Sequence, residues 1–100
     1  MKYYGILLED LTFKKGTTPD DFIDYFSDHE VDMPNQAEAS TDSFNDNPYF
    51  AIAPVFTRNA CDFESTKEID QFLIQTIKPF VDMDEKEIQE NISIFFLTTD

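Results

Sequence analysis

The chain has 100 residues, 41% of them hydrophobic and 15% aromatic, and its seven Lys and Arg against twenty-one Asp and Glu leave a formal net charge of −14. This length fits one folding unit, residues 1–100, with enough apolar surface for one core without metal or disulfide staples. The charge argues against direct binding to nucleic acid or to an anionic membrane and for a cationic protein partner, because complementary fields speed encounter and reject wrong partners.

Met1 to Leu8 carries one Lys, two Tyr and a short apolar run. It lacks the length and the small-residue cleavage site of a signal peptide. No stretch approaches the roughly 18 apolar residues of a membrane span, and a cytoplasmic protein is expected. Tyr3 to Leu8 reads as a buried strand that leads through Glu9 and Asp10 to the turn signal Lys14, Lys15, Gly16. A short extra strand fits around Thr12 and Phe13. Thr18 then caps a first helix, Pro19 suits its first position, and Asp20 and Asp21 sit where the helix dipole favours negative charge. Phe22, Tyr25, Phe26 and His29 recur at helical spacing as an apolar face, with Asp20, Asp21, Asp24 and Asp28 on the other side.

From Val31 to Pro48 the chain is rich in Asn, Asp, Ser, Gln and Pro with no sustained period, and it reads as a long loop. Tyr49 to Thr57 reads as a second strand, placed at a sheet edge or bulge because Pro54 cannot donate to a ladder. Ser65 and Glu68 have capping-box spacing. Ile69, Phe72, Leu73, Thr76, Ile77 and Phe80 trace one face of a second helix, which Pro79 ends or kinks. Asp84 and Glu87 repeat the box and start a short helical turn. Ile92 to Leu97, the most apolar run, reads as a central strand. The order strand, helix, strand, helix, strand predicts an α+β fold, a single two-layer sandwich with a small mixed or antiparallel sheet.

Motifs for chemistry are missing. Gly5 and Gly16 form no phosphate-binding pattern. His29 and Cys61 are single residues, far apart for zinc ligands and outside any nucleophile motif. A lone Cys61 forms no intramolecular disulfide and reads as a buried thiol. The run from Asp42 to Asn47 alternates oxygen-bearing side chains but lacks the glycine and distal glutamate of an EF-hand. Acidic pairs are too numerous to single out an acid and a base. No cofactor, no metal and no catalytic residue is expected.

Between Lys15 and Arg58 there is no Lys or Arg, while Asp20, Asp21, Asp24, Asp28, Glu30, Asp32, Glu38, Asp42 and Asp46 supply nine carboxylates. A solvated helix face ordinarily gains i,i+4 ion pairs worth about 0.2–0.5 kcal/mol each, and this stretch forgoes them. Met33, Phe44 and Tyr49 lie among these acids, and aromatic anchors in a charged surround suit a protein interface. The expected partner-binding set is therefore these nine acids with Phe44 and Tyr49. In the opposing reading the two rings tuck into the core and the acids only solubilise. A second cluster, Asp82, Asp84, Glu85, Glu87 and Glu90, is broken by Lys86.

In size and acidity the chain is similar to small immunity proteins paired with nuclease toxins, although it shares no motif with them. The leading expectation is an immunity-type inhibitor that covers the cationic active site of a basic bacterial toxin, a nuclease domain. The alternatives are a phage-type nucleic-acid mimic that blocks a host defence or DNA-binding protein, and an acidic structural subunit of a larger complex. Duplex DNA carries one charge per roughly 1.7 Å, whereas Asp20, Asp24 and Asp28 lie about 6 Å apart along a helix, which makes the helix a sparse imitation.

Overall fold

The fold follows from a computed structural model that describes residues 2–34, 37–41, 47–52 and 66–96. β1 (Lys2–Leu7) sends alternate side chains to opposite faces, and Ile6 joins one buried cluster while Tyr3 joins another. The first helix, α1 (Pro19–Asp28), starts at the expected cap: Thr18 and Asp21 form a reciprocal capping box, with Pro19 at the first position. Then come β2 (Ala37–Thr41), β3 (Pro48–Ile52), α2 (Thr66–Ile77), α3 (Glu85–Glu90) and β4 (Ile92–Phe96). The Asp84 and Glu87 box caps α3 as the spacing predicts. Ser65 and the rest of the expected strand after Ile52 lie outside the described residues. Pro79 does end α2, which passes into a 3-10 turn over Lys78–Phe80.

The four strands form one antiparallel sheet in the order β2-β3-β1-β4, and the chain is an α+β fold. Four expectations change. The stretch from Val31 to Pro48 is not one loop, since it holds a 3-10 turn over Glu30–Asp32, the strand β2 and the start of β3. Alternation in Ala37-Glu38-Ala39-Ser40-Thr41 is masked by weak apolarity, and pairing with β3 supplies the ladder that propensity alone does not. β3 is interior rather than at an edge, because Pro54 lies past its described residues and Pro48, which has no N–H to donate, takes its first position. β4, expected at the centre for its apolarity, is an edge strand among the described residues, and Ile94 on it stays 50% exposed. Around Thr12 and Phe13 the extra strand reduces to a bridge between Phe13 and Val81.

Both faces of the sheet bury side chains. On one, Ile6 and Phe50 pack with Phe22 and Phe26 of α1, Leu73, Ile74 and Ile77 of α2 and Ile88 of α3. On the other, Tyr3, Tyr49 and Ala51 form a second buried cluster with Leu7 and Phe95. Gly5 lies in the middle of that face, opposite Ala51 and Ser93. A Cβ there would sit 2.3 Å from the Phe50 carbonyl oxygen and 2.6 Å from the Ala51 Cβ, so only glycine allows this close pairing. Gly16, at φ +84°, makes the left-handed turn that brings the chain to α1.

Candidate protein-interaction surface

α1 has two faces of different chemistry. Phe22 and Phe26, four residues apart, are buried and pack on Phe50 at ring distances of 4.9 and 5.7 Å. That burial fixes the roll of the helix. Asp20, Asp21, Asp24 and Asp28 are then all exposed, and Glu30 and Asp32 continue the acidic run through the following 3-10 turn, also exposed. With no cation between Lys15 and Arg58 in sequence, i,i+4 partners along this helix are carboxylates rather than lysines. Between Glu30 and Asp32, Val31 stands 94% exposed.

Within this set the acids have different duties. Asp21 accepts from the Thr18 backbone N–H at 2.8 Å, so one of its oxygens belongs to the helix cap. Asp24, Asp28, Glu30 and Asp32 make no such contact among the described residues. Glu38 is separate from them: it lies on β2, only partly exposed, and accepts from the Tyr49 hydroxyl at 2.5 Å and the Tyr3 hydroxyl at 3.4 Å. This places one carboxylate across three strands as an internal tie. Burial, reinforced by the nearby Glu38 charge and the hydrogen bond to it, raises the pKa of Tyr3 above the ordinary tyrosine value. On the opposite face the Tyr4 hydroxyl donates to Asp70 of α2 at 2.5 Å, and burial followed by that bond raises its pKa as well.

Tyr49 is a correction to the expected interface. It is 3% exposed, stacked edge-on against Tyr3 at 5.7 Å, and therefore unable to anchor a partner while the sheet is intact. The physical reason is its position one residue into an interior strand, with its side chain on the second buried face. Met33 packs against the main core. Asp42, Phe44 and Asp46 lie outside the described residues, as does Cys61.

His29 is the C-cap of α1 and exposed, not part of the apolar face. Its Nδ1 lies 2.8 Å from the Tyr25 carbonyl oxygen, which can only accept, so this nitrogen carries the donated hydrogen. Its ring meets that of Tyr25 at 4.2 Å in a tilted pair, and Tyr25 in turn meets Phe80 at 5.2 Å. Sequence periodicity places these residues on one flank of the helix but not at the surface, because Phe80 comes from a distant segment.

The second acidic cluster sits in a different setting. Asp82, Asp84 and Glu87 line an open depression of about 650 Å³ with Lys14, Lys78 and Met83, so both charge signs meet there. No group of three or more His, Cys, Asp or Glu suited to hold a metal occurs among the described residues. Nor is any helix among them long and apolar enough to cross a membrane. No family model matches the chain, and neither curated proteins nor solved structures give a significant match to it.

Proposed function

We propose that the protein is a cytoplasmic immunity-type inhibitor that binds a basic bacterial protein, a toxin nuclease domain, through the outer face of α1 and the turn that follows it. The observation that carries this reading is the exposed run Asp20, Asp24, Asp28, Glu30 and Asp32, held outward by burial of Phe22 and Phe26 and uninterrupted by any Lys or Arg. Such an arrangement opposes monomer stability through self-repulsion and acquires a purpose when a cationic surface covers it. A single row on one helix supports a dedicated protein partner over imitation of a duplex, whose charge density is several times greater.

The test is to express the chain with the product of the reading frame beside its own gene and to measure binding by calorimetry and toxicity by cell survival. The reading expects nanomolar, salt-sensitive binding and rescue of growth. Absence of both, or binding that survives reversal of Asp24 and Asp28 to Lys with unchanged salt dependence, overturns it.

A subunit role is the second reading, favoured by β4. This edge strand, Ile-Ser-Ile-Phe-Phe, has no charge to deter pairing and leaves Ile94 half exposed. Sedimentation over a hundredfold range of concentration distinguishes the two, since a monomer throughout removes self-assembly through this edge.

A further inference from the structure

We infer that the outer end of the aromatic ladder on α1, Tyr25 with His29, is the point at which the cationic partner places an arginine side chain, the flanking carboxylates taking its N–H groups. This rests on the proposed acidic surface and names the chemistry it selects.

The ladder begins in the core. Fully buried Phe22 meets Phe80 edge-on at 5.1 Å, Phe80 meets Tyr25 at 5.2 Å, and Tyr25 carries the His29 ring at 4.2 Å with the planes inclined by 31°. Each ring is thus supported by the one beneath it, and the last two reach the surface: Tyr25 is 38% exposed and His29 is exposed. The His29 ring is further held by its Nδ1 bond to the Tyr25 carbonyl. A preorganised planar surface of this kind loses little side-chain freedom on binding.

Carboxylates flank that surface by helical geometry. Asp21 and Asp28, expected on the side away from the apolar face, lie four residues before and three after Tyr25 and so on its side of α1. Asp32, whose backbone N–H donates to the His29 carbonyl at 2.9 Å, brings a further acid to the same end. A flat ring among carboxylates fits the planar, delocalised guanidinium, which stacks on a ring face while its edge donates to oxygens. The compact, strongly hydrated ammonium of lysine uses the charge alone. The site therefore distinguishes two cations of equal charge, which the acidic row by itself does not.

The test uses acetylated, amidated hexapeptides of arginine and of lysine as probes, titrated into the intact protein by calorimetry, with the His29 ring protons followed by NMR. The arginine peptide is expected to bind about two- to fivefold more tightly and to shift the His29 signals. His29→Ala removes that preference while both peptides still bind, and His29→Phe, which loses the bond to Tyr25 but keeps a ring, retains it. Circular dichroism checks that both variants fold. Equal binding of the two peptides, unmoved His29 signals, or a preference that survives His29→Ala overturns the inference and leaves the acidic surface standing. Failure of both peptides to bind overturns the acidic surface together with it.

Discussion

Glu38 and the pair Asp24 and Asp28 come from one acidic stretch of sequence, yet the fold puts them to opposite uses. On β2, Glu38 is drawn onto the sheet face that buries Tyr3 and Tyr49, whose hydroxyls donate to it. On α1, Asp24 and Asp28 point away from the core because Phe22 and Phe26 occupy the inward side. Charge in a sequence thus says little about duty. What separates a structural carboxylate from one available to a partner is the side of its own element that the apolar neighbours claim.

Substitutions on the two sides should differ in size and in kind. Gly5→Ala should have the largest effect, since its Cβ falls against the Phe50 carbonyl and Ala51. A loss of about 3 kcal/mol in urea unfolding is expected, at the upper end for overpacking, and a loss below the error of the measurement would mean that β1 and β3 part easily. Glu38→Ala removes the acceptor shared by Tyr3 and Tyr49, at about 2 kcal/mol, the scale of a hydrogen bond to a charged group. If it proves neutral, the contrast with α1 disappears. Asp21→Ala, which breaks the capping box, should cost about 1 kcal/mol and so rank between the two classes.

Alkaline pH probes the sheet side. The pKa values of Tyr3 and Tyr4 are raised in the fold, so the folded state holds these protons more firmly than the unfolded chain. Their contribution is full below the unfolded tyrosine pKa of about 10 and declines as pH rises above it. Urea midpoints measured from pH 8 to 12 should be level and then fall, and a midpoint that rises above pH 10 would contradict the burial of these hydroxyls. The smallest effect belongs to Asp24→Lys with Asp28→Lys: stability should stay within about 0.5 kcal/mol of the native chain, while association with a basic partner slows and loses its salt dependence. A large loss of stability there would give these acids a structural duty like that of Glu38.

Local chemistry was legible wherever neighbours in sequence decide the outcome. Thr18, Pro19 and Asp21 announce the start of α1, Asp84 and Glu87 that of α3, and Pro79 the end of α2, because caps and breakers act within a turn. Strand placement was not. β4 is the most apolar strand and yet an edge, and β2, built from Ala, Glu, Ser and Thr, was hidden in polar sequence. Position in a sheet depends on which strands meet across the chain, and no residue encodes that by itself.

By itself the sequence determined an α+β chain with a large negative charge, two well-capped helices and a cation-free acidic stretch. Only the tertiary structure decided that Tyr49 and Glu38 meet on one sheet face and that Tyr25 and His29 stand at the surface on a ring from a distant segment. The reason is that side-chain spacing fixes the faces of one element, whereas burial is a property of two elements in contact.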